Sequence, residues 1–177
     1  SDATVTNSKF SNSAEGIRVN NSATPSIQNC AFTNLSFYGV YILDGSPTLL
    51  NNVINNVGTG GIYLQAGNPS VDNTTFTNNT VDFRASPTVL DDQIFANNGL
   101  SVVHVTGGTI AANTTWQAPQ APENWIYQMQ SNTTVNAGVT LTIEPGATVS
   151  FANLTHDIFM NGTIIADGTP TDSVFFQ

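Results

Sequence analysis

Like residues recur every 22 positions along the first half of the chain, in both apolar and amide side chains. Two apolar columns keep this step: Val5, Ile27, Leu49 and Val71, and then Phe10, Phe32, Ile54 and Phe76. A fixed period of this length is typical of a solenoid, in which each repeat buries its apolar face only against its neighbours. The chain is therefore predicted to stack short, similar units rather than to fold around one compact core.

A second short run in each repeat alternates inward apolar residues with outward ones. The runs are Gly16–Val19, Gly39–Ile42 and Gly61–Leu64. Period-two alternation indicates a β-strand with one buried face, and no window of the chain shows the period of a helix. Parallel strands stacked about 4.8 Å apart form a parallel β-helix. We therefore predict an all-β solenoid, a parallel β-helix of roughly eight coils with about 22 residues each.

Asparagine follows the same step in two further columns. These are Asn7, Asn29, Asn51 and Asn73, and then Asn12, Asn34, Asn56 and Asn78. In a parallel stack, identical amide side chains lie above one another and can bond as a ladder. Asparagine also tolerates the left-handed backbone that a sharp corner requires. Both columns are predicted to be structural ladders at the corners of the coils.

The repeat changes character along the chain. Residues 1–108 are predicted to form the first set of coils, and residues 139–177 a second set, in which the step returns between Ile143 and Ile165. Residues 109–138 lie between them and contain both tryptophans and a short Ala-Pro loop. Large aromatic side chains fill space between packed elements. We expect this middle segment to pack a seam where the two solenoid segments meet.

One repeat in the first half is irregular. The unit that begins at Pro87 comes sooner after Pro69 than the regular step requires, and it places Asp91 where earlier units have a column asparagine. Connections between strands vary in length more readily than the strands do. We therefore expect a turn shortened by about four residues, with the strands kept.

Composition and charge limit the classes of partner that the chain can bind. Only 8% of the 177 residues are charged, the net charge is -9, and the basic residues are Lys9, Arg18 and Arg84. So few cations cannot neutralise phosphates, which argues against binding to nucleic acid or to an anionic membrane surface. No apolar run approaches the roughly 20 residues that span a bilayer, so no membrane insertion is expected. Low charge with abundant Asn, Thr and Gly predicts an extracellular or cell-surface location.

The acidic residues offer one candidate cluster for catalysis. It consists of Asp91 and Asp92, with Asp72, Asp82 and Arg84 one or two coils away. Paired carboxylates can act as general acid and base. Successive residues of a strand point to opposite faces, however, so Asp91 and Asp92 cannot share a site as neighbours. We predict no catalytic residues.

The other reactive side chains are scattered. His104, His156 and Cys30 lack the spacing of metal ligands, so no metal and no cofactor are predicted. The lone Cys30 follows a column asparagine and is expected to be a small buried apolar residue. Tyr41 and Tyr63 are one repeat apart and should stack on the outer surface. An aromatic strip that binds sugars is the alternative for this pair.

Asn-x-Ser/Thr sequences, which accept N-linked glycans, are frequent. Asn34, Asn73 and Asn78 lie in the predicted columns, where a glycan would disrupt stacking. The better candidates fall in turns or looser segments: Asn20, Asn113, Asn132, Asn153 and Asn161. Glycans are therefore a candidate partner class.

Several segments resemble the right-handed parallel β-helix repeat proteins of the pectin-lyase-like superfamily. Residues 139–151, followed by 161–168, are similar to the way such secreted domains begin, and Asn29–Asn34 looks like a rung from their middle. The resemblance covers nearly the whole chain and implies a right-handed β-helix. Relatives include polysaccharide lyases and hydrolases, but this fold hosts many functions. The resemblance therefore leaves open a carbohydrate-binding or polysaccharide-degrading domain as the alternative function.

The order of these segments suggests a unit joined end to end. The segment that looks like a beginning comes after the one that looks like a middle, and Ser173–Gln177 reads onward into the pattern of the first residues. Neither end carries an evident cap, and an uncapped solenoid end recruits further strands. We predict a structural module of an extracellular filament or cell-surface fibre, stacked head to tail on copies of itself as a subunit or as one repeat of a tandem array. The predicted contact residues are Val5, Phe10, Val174, Phe175 and Phe176.

Overall fold

The computed structural model describes residues 3–91, 95–96, 98–121 and 123–177. In these ranges the chain forms short β-strands and one 3-10 turn, Pro87–Leu90, with no α-helix. No helix in the described part of the chain is long and apolar enough to cross a membrane. Every strand pair described is parallel, so each strand lies against a strand from the coil before or after it.

The strands are short throughout the chain. Up to the 3-10 turn they are β1 (Thr4–Thr6), β2 (Lys9–Ser11), β3 (Glu15–Val19), β4 (Ser26–Gln28), β5 (Ala31–Leu35), β6 (Tyr38–Ile42), β7 (Thr48–Leu50), β8 (Val53–Val57), β9 (Gly60–Leu64), β10 (Ser70–Asp72), β11 (Thr75–Thr77) and β12 (Phe83–Ala85). After it they are β13 (Phe95–Ala96), β14 (Val102–Val105), β15 (Gly108–Ile110), β16 (Thr114–Trp116), β17 (Ile126–Met129), β18 (Thr133–Val135), β19 (Thr140–Ile143), β20 (Thr148–Phe151), β21 (Ile158–Met160), β22 (Thr163–Ile165) and β23 (Phe175–Phe176).

One sheet runs the length of the molecule. This long sheet has eight strands in the order β23-β20-β17-β14-β12-β9-β6-β3. Two sheets, β1-β4-β7-β10-β13 and β11-β8-β5-β2, complete the coils of the first half. Two others, β15-β18-β21 and β16-β19-β22, complete those of the second half. The result is a parallel β-solenoid of about seven turns with about 22 residues each, which confirms the predicted fold class with one turn fewer than expected.

The core is a column of side chains that continues from coil to coil. In the long sheet one inward column is in register from end to end: Ile17, Val40, Ile62, Phe83, Val103, Tyr127, Val149 and Phe176. Its members from Val40 to Val149 are buried completely. Cys30 is buried as a free thiol, as expected. Burial of such columns is the main term that stabilises a solenoid.

The coil that begins at Pro87 differs from the prediction. Instead of a strand, Pro87–Leu90 forms a 3-10 turn whose Leu90 is buried in the core. The strand of this coil is β13, in which Phe95 pairs with Val71, so the coil is longer than the regular repeat rather than shorter. Asp91 is therefore not in the asparagine column; its Oδ1 accepts a hydrogen bond from the backbone N–H of Thr115 at 2.6 Å. The expected shortening was wrong because an apolar turn, not a strand, fills the core at this level.

The predicted middle segment, residues 109–138, lies within the solenoid. It contributes to β15 and forms β16, β17 and β18, which pair with strands of neighbouring coils. Trp116 and Trp125 are buried and contact Tyr127, at ring-centroid distances of 5.0 and 4.9 Å. The Trp116 indole N–H donates to the carbonyl of Pro87, where the first pair of sheets gives way to the second.

The corners of the first-half coils use a left-handed backbone. All eight column asparagines have φ between 47° and 57°. Side-chain ladder bonds join two neighbouring pairs: Asn73 Nδ2 donates to Asn51 Oδ1, and Asn56 Nδ2 donates to Asn34 Oδ1. The amide side chain suits these corners because asparagine occupies this region of φ at less cost than other residues with a Cβ atom.

Candidate functional site at the two ends of the solenoid

The N-terminal end of the solenoid is a coil with one uncovered face. Its strands β1, β2 and β3 each pair on one side only, with β4, β5 and β6. One inward residue from each strand, Val5, Phe10 and Ile17, packs against the core and remains partly exposed. Together with Val19 and Ile27 they line an open cavity of about 360 Å³. The core is therefore accessible to solvent through this end.

The C-terminal end is uncovered in the same way. Strands β21, β22 and β23 pair on one side only, with β18, β19 and β20. One apolar residue in or directly beside each of these strands packs against the core but is only partly buried. These residues are Ile158, Ile164 and Val174. No residue after 151 is fully buried in the part of the chain that the structure describes. Both ends thus present three strand edges around an apolar centre.

Exposed apolar side chains are concentrated at this C-terminal end. Among the described residues, six of the eight large exposed apolar side chains follow residue 152: Leu154, Phe159, Met160, Ile165, Phe175 and Phe176. Large apolar patches are seldom left uncovered on monomeric proteins, and exposed apolar surface of this kind often marks an interaction site. The other two, Phe37 and Val53, are on the side wall.

The predicted contact residues fall on these two ends. The structure places Val5 and Phe10 at the N-terminal end, and Val174, Phe175 and Phe176 at the C-terminal end. Phe10 also stacks on Phe32 of the next coil, with ring centroids 4.9 Å apart.

Sequence reasoning missed several other end residues. It did not single out Ile17 of the N-terminal end, or Ile158, Met160, Ile164 and Ile165 of the C-terminal end. The alternating run Gly16–Val19 contained a signal for Ile17, since the corresponding run Gly39–Ile42 supplies Val40, with which Ile17 pairs. Only the pairing of strands, however, shows which coil is the last at each end.

The charges at the two ends differ. The first coil carries Lys9 and Arg18, two of the three basic residues of the chain. Arg18 is bound by Glu15 at 2.7 Å, whereas Lys9 is exposed and forms no ion pair among the described residues. The last coil carries Asp157, Asp167 and Asp172, all exposed, and no Lys or Arg. The C-terminal end is therefore acidic and the N-terminal end close to neutral.

The tyrosines on the outer face of the long sheet pack against one another. Tyr41 and Tyr63 stack with centroids 5.1 Å apart and an angle of 10° between rings, as predicted. The Arg18 guanidinium lies 4.7 Å from the centre of the Tyr41 ring. Because β6 lies between β3 and β9, Arg18 and Tyr63 cover opposite faces of Tyr41. The Tyr38 ring is tilted against the Tyr41 ring, with centroids 5.3 Å apart. Partial burial, then the neighbouring Tyr63, raises the pKa of Tyr41. This arrangement leaves no open face of Tyr41 on which a sugar could stack.

The acidic candidates lie at separate places on the solenoid. Asp72 ends β10, whereas Arg84 is in β12 of the long sheet and Asp82 comes directly before that strand. Asp82 accepts hydrogen bonds from Asn79 and Ser101, at 3.3 and 3.4 Å. Asp92 lies outside the described residues. No group of three or more His, Cys, Asp or Glu side chains in the described part could hold a metal ion.

His104 lies beside these groups. It pairs in register with Arg84 on the outer face of the long sheet. Partial burial, and then the Arg84 charge, lowers the pKa of His104, while Asp82 opposes the shift.

The candidate glycosylation residues are all exposed, as expected for acceptors. Three of them bind a backbone N–H through Oδ1: Asn113 accepts from Thr140, Asn132 from Asp157, and Asn153 from Thr155. Asn20 and Asn161 lie in the first and the last coil, close to the ends. A glycan on either residue would stand beside an end face.

Comparison with known proteins agrees with this architecture. A family model described as "Right handed beta helix region" matches residues 1–169. No curated protein and no solved structure matches the chain. The fold and the open ends therefore provide the evidence from which a function can be inferred.

Proposed function

The chain belongs to the right-handed β-helix family, and from this premise we propose that it is a structural module whose ends stack on copies of itself to build an extracellular filament or cell-surface fibre. The observation that carries the proposal is the solenoid core that is open at both ends. Three strand edges surround partly exposed apolar side chains at each end.

Physical chemistry favours covering these ends. Unpaired strand edges are templates for further strands, and solenoids that stay monomeric carry polar caps. Covering Phe175, Phe176 and Met160 removes apolar surface from water, which favours association by about 25 cal/mol for each Å² buried. A contact between unlike ends that does not close into a ring produces a filament. The low charge and the high Asn and Thr content support an extracellular location for such a fibre.

The alternative, a carbohydrate-binding or polysaccharide-degrading domain, has weaker support. Asp72 is in β10 and Arg84 is in β12 of the long sheet, so these two candidates lie on different sheets, and both faces of Tyr41 are covered. Phosphate-binding or membrane roles are disfavoured by three basic residues against twelve acidic ones. A rod that stacks through its ends therefore accounts for more of the observed features than a groove-based activity does.

The test is self-association of the purified chain, measured by sedimentation velocity and by electron microscopy. We expect rods of constant width whose length grows with protein concentration. Phe176→Asp should abolish them, because it places a charge in the end contact. The matched control is Phe37→Asp, since Phe37 is 52% exposed and Phe176 50%, but Phe37 is on the side wall. Monomers at every concentration, or equal loss of assembly in both variants, would contradict the proposal.

A further inference from the structure

We propose that the two unlike ends are complementary, so that the C-terminal end of one copy docks only onto the N-terminal end of the next. Strands β21, β22 and β23 would then lie against β1, β2 and β3 of the following copy. This inference rests on the proposed function and specifies its polarity. A contact between like ends would instead pair two copies about a two-fold axis, and if only one kind of like-end contact formed, the result would be a closed dimer.

The register of the strands favours contact between unlike ends. Ile17 and Phe176 are the first and last members of the same inward column of the long sheet. Head-to-tail stacking brings Phe176 of one copy against Ile17 of the next, so the column continues without a break. It also repeats the parallel pairing that every described strand pair already uses. Two like ends would have to pair their strands in the antiparallel sense, which occurs nowhere in the described chain.

The shapes of the two end faces also favour contact between unlike ends. The N-terminal end is concave, with a cavity of about 360 Å³ lined by Val5, Phe10 and Ile17. Exposed Met160 and Phe176 stand at the C-terminal end, in columns whose other members point into the core. Two N-terminal ends placed face to face would join two cavities into one void, and unfilled apolar voids are costly. Unlike ends instead place apolar side chains opposite a cavity.

The charged residues of the two ends also favour contact between unlike ends. Two C-terminal ends would bring Asp157, Asp167 and Asp172 of one copy against the same three residues of the other. Like charges placed together in an interface cost free energy and select against that partner. The N-terminal end instead contributes an Arg18–Glu15 pair and Lys9, which forms no ion pair within the described part of the chain. Polarity is therefore selected both by attraction between unlike ends and by repulsion between two C-terminal ends.

The polarity can be tested by mixing two variants that each have one blocked end. Ile17→Asp blocks the N-terminal end and Phe176→Asp blocks the C-terminal end. We expect each variant alone to be monomeric, with self-association weakened roughly tenfold or more by the buried charge. An equimolar mixture should form a one-to-one complex and nothing longer, because only one pair of compatible ends remains. Sedimentation velocity measures both results.

A second N-terminal block guards against loss of the first coil in Ile17→Asp. Ala3 is exposed at the rim of the cavity, so Ala3→Glu adds a charge without removing a packed side chain. Thermal unfolding by circular dichroism checks that each variant is folded. Dimers of Phe176→Asp alone would show N-terminal ends in contact, and dimers of either N-terminal variant alone would show C-terminal ends in contact. Both outcomes overturn the polarity, whereas a monomeric unmodified chain overturns the stacking itself.

Discussion

Asparagine has two structural roles in this chain. At the corners, the column asparagines adopt a left-handed backbone with their side chains exposed. Asn52, Asn79 and Asn98 instead turn inward and bind the backbone of the preceding coil. Asn52 Oδ1 accepts from the Cys30 N–H at 3.0 Å, and its Nδ2 donates to the Ile27 carbonyl at 2.9 Å. Each inward amide thus satisfies a backbone donor and a backbone acceptor at a corner.

Replacing Asn52 with Ala should destabilise the protein by about 2–4 kcal/mol, because two buried backbone groups lose their partners. Asn55→Ala is the matched control, since Asn55 is in the same strand region and its Nδ2 donates to the exposed side chain of Thr77. Its cost should stay within about 0.5 kcal/mol. Urea denaturation of both variants measures the difference. Equal costs would show that the inward amide contributes no more than a surface bond does.

The inward asparagines show what the sequence could not predict. The corner columns repeat one residue type, so their regular step is visible without a structure. The column of Asn52 contains Cys30 and Thr74 instead, and it therefore has no recurring signature. Asn51 and Asn52 are also adjacent and chemically identical, so only the backbone direction at the corner decides which of them is buried.

At the level of single strands, glycine decides how closely neighbouring coils approach. A Cβ atom at Gly61 in β9 would lie 2.7 Å from the carbonyl oxygen of Asp82 and 2.9 Å from the Phe76 ring. The same atom at the adjacent Gly60 would come no closer than 3.5 Å to a neighbour, the Tyr38 ring. Close contact with the next coil therefore excludes a Cβ atom at Gly61 but not at Gly60.

Gly61→Ala should lower the free energy of unfolding by about 1–3 kcal/mol, because backbone of the next coil must shift to admit the methyl group. Gly60→Ala should change it by less than about 0.5 kcal/mol. Paired chemical denaturation of the two variants, with a near-ultraviolet spectrum to report on Tyr38, is the measurement. A larger effect at Gly60 than at Gly61 would contradict the close approach of β9 and β12.

The coil at Pro87 shows how a strand can be mispredicted. The run from Pro87 to Asp91 has the same order of proline, apolar and polar residues as the run from Pro47 to Asn51, which contains β7. The run at Pro87 instead becomes a 3-10 turn, with Leu90 directed into the core. Local pattern is the same in both places. What distinguishes them is contact of the turn with β15 and β16, two strands from later in the chain.

For the whole molecule, the solenoid should be least stable at its ends. Strands β21 to β23 lack a covering coil, whereas β6, β9 and β14 lie between two neighbours. Local opening needs less free energy where fewer apolar contacts must break. Hydrogen exchange followed by mass spectrometry, on dilute monomer, should show the fastest strand exchange after residue 152 and in β1. Exchange that is uniform along the solenoid would contradict this prediction.

The direction of the hydrogen bonds between coils has a mechanical consequence. Because strands run across the rod, these bonds lie along its axis, so tension applied through the two termini loads them one coil at a time. Such a rod is stiff under bending but unravels stepwise under a steady pull. Each coil of about 22 residues releases roughly 75 Å of extended chain. In the proposed fibre, each unit would therefore lengthen under tension before its covalent bonds are strained.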